Sequence, residues 1–367
     1  MLGVYIHIPF CNKACNYCDF YFSTSLQNKP KIIDAIVAEI KQCNIDDQTI
    51  DTLYFGGGTP SLLSSEELDV LVEAISKKFR LSKNIETTLE VNPEDVNPKN
   101  LKIWRSFGFN RVSLGVQSLY DQHLRWMNRY HSAAESKKAI AMVLSFFDNV
   151  NVDLIYGLPD LTKSEWENTL REIQAFAPKH ISAYCLTIEN KTSLYHDIQN
   201  GKIKPAEEEE IIWQFSHLKK WAKANDYSHY EISNFARDDA YARHNTNYWL
   251  GKSYLGFGPS AHSFYGNRRW WNIRNNHLYA QKVTENYSPA SGSEVLTRKN
   301  QINEYILMRI RTKWGLDLDF LKKEYQVELD CAESYQNGWI ERDKNFIFLT
   351  EKGMLFADAT TKALLLT

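Results

Sequence analysis

The sequence predicts an α/β protein: a partial (β/α)6 TIM-like barrel over residues 1–190, an α/β extension over 191–290 and a small winged-helix-like C-terminal domain over 291–367. Three observations predict it. β-rich runs alternate with amphipathic helical stretches up to about residue 190. The runs end near 8, 57, 92, 118, 157 and 187, at intervals of 49, 35, 26, 39 and 30 residues, the size of repeated βα units. That rhythm then stops. Strands joined by helical crossovers are parallel, and a parallel sheet needs helices on its faces. Six runs rather than eight point to an open or partial barrel, with its chemistry at the C-terminal strand ends.

The six runs are VYIHI (4–8), TLYFGG (52–57), TTLEVN (87–92), RVSLGVQS (111–118), VNVDLIYG (150–157) and ISAYCLT (181–187). Between them KIIDAIVAEIKQC (31–43), ELDVLVEAISKKF (67–79) and WENTLREIQAF (166–176) carry apolar residues at three-and-four spacing, the period of a helix with one buried face. Ser64 with Glu67 and Thr162 with Glu165 fit capping boxes, and Asn97 before Pro98 fits an N-cap and first turn. After residue 190, AEEEEIIWQFSHLKKWAKA (206–224) reads as a helix whose Glu207 to Glu210 suit its N-terminus. HYEISNFA and an aromatic segment from Tyr248 to Trp271 follow. From about Glu294, NQINEYILMRI and LDFLKKEY read as helices, and NGWIERDKNFIFLT as a strand pair around Asp343 and Lys344. This appendage lacks the dense basic stripe that DNA binding needs.

Lys plus Arg number 43 and Asp plus Glu 45, a formal balance of −2, so no broad basic surface points to nucleic acid. No stretch approaches the roughly 18 apolar residues of a membrane span, so no transmembrane segment is expected. The start MLGVYIHIPFC lacks the marks of a signal peptide. A soluble, cytoplasmic protein is expected.

Of six cysteines, Cys43, Cys185 and Cys331 are scattered and read as ordinary core thiols. Cys11, Cys15 and Cys18 cluster directly after the first run. In a reducing compartment such a cluster reads as metal-binding before disulfide. Thiolates suit zinc or an iron-sulfur cluster. A structural zinc wants a fourth Cys or His nearby, and Cys18 is followed by Asp19, Phe20, Tyr21 and Phe22. A four-iron cluster on three cysteines leaves one iron open to a ligand. The run Gly56-Gly57-Gly58-Thr59-Pro60 allows main-chain polar groups to meet a ligand closely, and it is neither a Walker loop nor a GxGxxG fingerprint. Glu90, Gln117, Asp153 and Thr187 recur within or at the ends of the third to sixth runs, where a charged group must be paired or employed.

CxxxCxxC after a first strand resembles the signature of the radical S-adenosylmethionine (SAM) superfamily. The strings YIHIPFC, FGGGTPS, RVSLGVQS, DLIYGLP and GFGPSAHS resemble its coproporphyrinogen-dehydrogenase branch over most of residues 4–264. The resemblance implies a [4Fe-4S] cluster on Cys11, Cys15 and Cys18, with S-adenosyl-L-methionine on the open iron. It also implies SAM contacts from Tyr5 and Tyr17 beside the cluster, from Gly57, Gly58 and Thr59, and from Glu90, Gln117, Arg129, Asp153 and Thr187. Arg125 lies close to Arg129 in register. A carboxylate can accept both ribose hydroxyls, and an arginine can hold a carboxylate.

Two members of the branch compete: the oxygen-independent coproporphyrinogen III dehydrogenase, and a group of heme chaperones. The dehydrogenase pattern continues as CxxxCxxCxC, where this chain has Phe20. The chain begins four residues before Tyr5, which is expected to leave no room for the dehydrogenase's N-terminal extension. HNxxYW, at His244 to Trp249, is a string of the chaperone group. The resemblance therefore implies heme as cargo and an acceptor protein that no motif identifies, a respiratory protein suiting the family. His244 is the candidate heme-iron ligand, and Asn245, Tyr248 and Trp249 accompany it. Tyr254, Phe257, Phe264, Tyr265, Trp270 and Trp271 add flat faces for a macrocycle. His262, common to both members, ranks below His244, and His7 is expected to brace the cluster loop. No catalytic residue is assigned, because nothing in the sequence shows that SAM is turned over.

Overall fold

The computed structural model describes residues 2–366. β1 (Leu2–Ile8), β2 (Thr49–Gly57), β3 (Arg80–Val91), β4 (Arg111–Gln117), β5 (Asn149–Tyr156) and β6 (His180–Cys185) pair in parallel, in chain order. They are the six expected runs. Leu2, Val4, Ile6 and Ile8 of β1 are all buried, as befits a sheet covered on its faces. The crossover helix Lys29–Gln42 turns Ile32, Ile33, Ile36 and Ile40 inward, and Ser65–Lys78 does the same with Leu68, Leu71 and Ile75. Both expected capping boxes form, at Ser64 and Thr162. The Asn97 side chain accepts from the Asn100 N–H at 2.9 Å.

The next segment lengthens the same sheet at both edges. β7 (Ser228–His229) and β8 (Asn234–Ala236) add antiparallel strands beyond β6. β9 (Tyr254–Phe257) pairs with β1, and β10 (His262–Tyr265), β11 (Arg268–Asn272) and β12 (Ala290–Val295) follow as antiparallel neighbours. The order is β12-β11-β10-β9-β1-β2-β3-β4-β5-β6-β8-β7, so the sheet stays open. β9 runs parallel to β1, a seventh parallel strand that the six-run reading omits. Its sequence YLGF is too short, and too close to the aromatic segment around it, to continue the βα rhythm.

Residues near the C-terminus form a second core around Ile306, Ile310, Leu316, Leu321 and Ile347. A three-stranded sheet, β13 (Leu316–Asp317), β14 (Ile340–Asp343) and β15 (Phe346–Leu349) in the order β13-β15-β14, crosses it. The expected strand pair is β14 and β15, with Lys344 in the turn at φ 53°.

Candidate functional site

The C-terminal ends of β1 to β6 surround a cavity of about 560 Å³. Cys11, Cys15 and Cys18 edge it, half-buried and unbridged, on the loop after β1. That loop is fixed by its backbone: the Cys11 N–H donates to the Ser23 carbonyl at 3.1 Å, and the Ser23 N–H to that of Pro9 at 2.9 Å. His7 does brace it. Its Nε2–H donates to the Tyr21 carbonyl at 2.9 Å, which leaves Nδ1 to accept from the Tyr5 hydroxyl at 3.1 Å. Burial lowers the His7 pKa to about 4, so the ring is neutral.

Among the described residues no three His, Cys, Asp or Glu side chains converge on a single-ion position. One zinc needs its sulfur donors about 2.3 Å from a common point, whereas a four-iron cluster is held by thiolates on separate irons. The three unbridged cysteines line one cavity, and a soft, three-thiolate donor set suits such a cluster. Burial pushes the Cys11 thiol up to about 11 and that of Cys18 up to about 12, so iron binding displaces their protons.

Arg129 lines the cavity, whereas Arg125 is exposed on the preceding helix. One Arg129 nitrogen, Nη1, lies 3.5 Å from Cys15 Sγ, and Nη2 donates to Asn92 Oδ1 at 2.7 Å and the Gly115 carbonyl at 3.0 Å. Burial works against its charge, but Tyr17, Cys15 and Glu94 hold the guanidinium protonated. Its Nε is buried without a partner. A buried orphan donor invites an anionic ligand group, and this one fits the carboxylate of SAM. The glycine run completes the cradle. Gly57 has φ 107°, and a Cβ on Gly58 would lie 2.5 Å from the Phe10 carbonyl oxygen, so neither position accommodates a side chain.

Glu90 accepts from the Tyr54 hydroxyl at 2.8 Å and the Gly57 N–H at 3.1 Å, and burial lifts its pKa to about 7. Asp153 accepts from Asn151 Nδ2 at 2.7 Å and Ser113 Oγ at 3.1 Å, and burial raises its pKa too. Gln117 closes β4 at φ 66°, beyond an irregular register against β5, and such strained positions cluster at sites. Tyr17, Thr59, Thr187 and Asn245 also line this cavity, Thr187 from the loop after β6. Arg111 and Asn92 were not singled out by the motifs. Arg111 is 1% exposed, reaches the cavity from the start of β4, and has a partnerless Nε. Its signal is a charge opening the apolar strand RVSLGV. Asn92 bridges Arg129 and Thr59, and its signal is its place directly after β3.

Tyr5, His244, Tyr248 and Trp249 do not line this cavity. Tyr5 and Tyr248 face a second one, about 420 Å³, at the β1–β9–β10 side; Trp249 reaches neither. His244 departs most from expectation. It sits in the helix Arg243–Trp249, 2% exposed, with Nδ1 2.8 Å from Thr52 Oγ1 and Nε2 2.6 Å from the Tyr248 hydroxyl. Its ring stacks on Tyr54 at 5.0 Å, and burial takes its pKa to about 3. Both nitrogens are engaged by hydroxyl groups, and the ring lines neither cavity. The short helix turns it toward β2, while Tyr248, four residues on, reaches the second cavity. Of the expected aromatics, Tyr254 and Phe264 reach that cavity; Phe257 is buried in the core, and Tyr265, Trp270 and Trp271 do not line it.

Residues 5–173 match the radical SAM superfamily and residues 296–356 the HemN C-terminal domain. The protein named heme chaperone HemW from Mycobacterium tuberculosis is 33% identical over 99% of this chain and 94% of its own length. The protein of that name from Bacillus subtilis is 30% identical over 100% of this chain and 99% of its length. Among solved structures, coproporphyrinogen III oxidase (HemN) from Escherichia coli, a radical SAM enzyme, superposes with TM-score 0.86 at 23% identity, over 99% of this chain and 89% of that one. At that identity the likeness shows the fold alone. The chain belongs to the radical SAM superfamily and, within it, to the family of the proteins named heme chaperone HemW.

Proposed function

We propose that this chain is a cytoplasmic heme carrier: it binds heme as cargo, holds a [4Fe-4S] cluster and SAM, and passes heme to an acceptor protein. Cys11, Cys15 and Cys18 would hold the cluster, and Arg129, Gly57, Gly58, Thr59, Glu90, Gln117, Asp153 and Thr187 would seat SAM, with Tyr17 beside the cluster. When bound, such a cluster would be able to supply a low-potential electron to a SAM sulfonium. The residues of the chain would bind and orient: Arg129 neutralises a carboxylate, and Glu90 accepts hydrogen bonds from hydroxyl groups. One observation carries the carrier reading over a decarboxylase. A second, aromatic-walled cavity adjoins the cofactor cavity, and Asp19 and Phe20 line both, so cargo and cofactors have separate places. Tyr248 brings the HNxxYW helix to the cargo side, with His244 packed behind it.

Anaerobic reconstitution should give a four-iron absorbance that Cys15→Ala abolishes, and hemin should bind the full chain stoichiometrically. Coproporphyrinogen III with SAM and a low-potential reductant should yield no protoporphyrinogen. Robust product would replace the carrier with the dehydrogenase.

A further inference from the structure

The edge cavity has a chemistry of its own. At about 420 Å³ it falls in the range of small-molecule sites. Strand β1 forms one side of it, β9 and β10 another, and Glu304 and Met308 of the helix Arg298–Arg309 close it. Its walls carry Tyr248, Tyr254 and Phe264 in contact: the first pair of rings is 4.5 Å apart, the second 6.3 Å. Phe20, 71% exposed, stands at its border with the cofactor cavity.

Two histidines line this cavity, and they differ. His7 has both nitrogens engaged. His262 opens β10 with its side chain exposed, stacks on Trp271 at 6.1 Å, and makes no side-chain hydrogen bond among the described residues. Burial, Arg269 and Arg274 all lower its pKa, so at neutral pH the imidazole is uncharged and has a lone pair to give. The cations also divide. Arg269 is held by Glu294 at 3.3 Å and Glu304 at 2.8 Å. Arg274 donates to the Asp19 carbonyl at 3.0 Å, and neither it nor Lys252 has a carboxylate partner among the described residues. One free imidazole, flat aromatic walls and two unpaired cations match a planar metallo-macrocycle with two acidic side chains.

We propose that heme docks in this edge cavity with His262 as its axial iron ligand, its propionates toward Arg274 and Lys252, and Phe20 along its border with the cofactor cavity. The proposal rests on the heme-carrier reading and gives that cargo an address. His244 would have to abandon two hydrogen bonds in a dry core to do the same work, and unmade buried bonds are costly.

The test is an anaerobic hemin titration of the reconstituted full-length chain and of His262→Ala, Arg274→Gln and His244→Gln. Soret position, spin state by electron paramagnetic resonance, and Kd are read, with cluster absorbance reporting an intact fold. The native chain should show a histidine-ligated spectrum. His262→Ala should lose that signature and bind roughly tenfold or more weakly. Arg274→Gln should keep the signature and bind roughly five- to tenfold more weakly. His244→Gln should keep the signature. A native spectrum and Kd in His262→Ala, or loss of the signature in His244→Gln alone, would overturn the site and leave the carrier reading standing. Absence of hemin binding by the native chain would overturn that reading itself.

Discussion

The cavity at the parallel strand ends draws its polar residues from successive strands of one repeated unit. The edge cavity draws on an antiparallel hairpin, a seven-residue helix and a helix of the C-terminal domain. In the first, each βα turn delivers a side chain to the same layer, so position along a strand already fixes place in the site. In the second, residues 248, 254, 262 and 274 meet only because β9 finds the free edge of β1 and the chain doubles back through β10 and β11. One site is inherited from a repeat; the other is assembled by tertiary pairing.

If the two cavities are independent, they should fail separately. The largest effect is expected at Gly58→Ala. The new Cβ would lie 2.5 Å from the Phe10 carbonyl oxygen and 2.8 Å from that of Ile8, both backbone, so the cysteine loop must move. Reconstituted four-iron absorbance should fall by most of its amplitude while hemin affinity changes by less than about threefold; joint loss would erase the distinction. His244→Ala should come next. It removes bonds to Thr52 and Tyr248 and leaves a hole between β2 and the HNxxYW helix, costing about 2–4 kcal/mol in urea unfolding. A loss within about 0.5 kcal/mol would show that the imidazole is not tied into the core.

The smallest effect concerns the bolt that joins the two regions. Glu39, on the first crossover helix, accepts from the Gly258 N–H at 2.8 Å, from Asn272 Nδ2 at 2.7 Å and from the Tyr279 hydroxyl at 2.5 Å. Burial nonetheless lifts its pKa to about 7. A carboxyl with a raised folded-state pKa binds more protons folded than unfolded between the ordinary carboxylate value and about 7, so its contribution falls as pH rises through that window. Glu39→Gln should flatten the fall, by something on the order of 1–3 kcal/mol. An unchanged pH profile of thermal unfolding would show that the carboxyl titrates normally.

Much of the first cavity was legible because its signals are local: the three cysteines, the glycine run, and Glu90, Gln117 and Asp153 at regular strand positions. Arg129 needed the structure to separate it from Arg125, since the helix ends at Trp126 and the turn through Asn128 carries Arg129 to the cavity while Arg125 stays in solvent. Arg111 escaped because a charge at the start of a strand reads as a surface residue until the sheet covers it. The edge cavity was barely legible. A four-residue strand carries no periodicity, and nothing in HNxxYW says that its histidine packs against β2 while its tyrosine, on the same helix face, reaches a cavity. His262 stood in a string shared by both members of the branch, so family contrast could not single it out.

Asp19 and Phe20 belong to the walls of both cavities, and they follow Cys18 without a spacer. A guest on either side that stills this short stretch relieves the other guest of the same loss of freedom, and thermodynamic reciprocity makes the two gains in affinity equal. Asp19 and Phe20 are the only lining residues the two pockets have in common among the described residues, so any such exchange passes through this two-residue stretch and nowhere else along their walls.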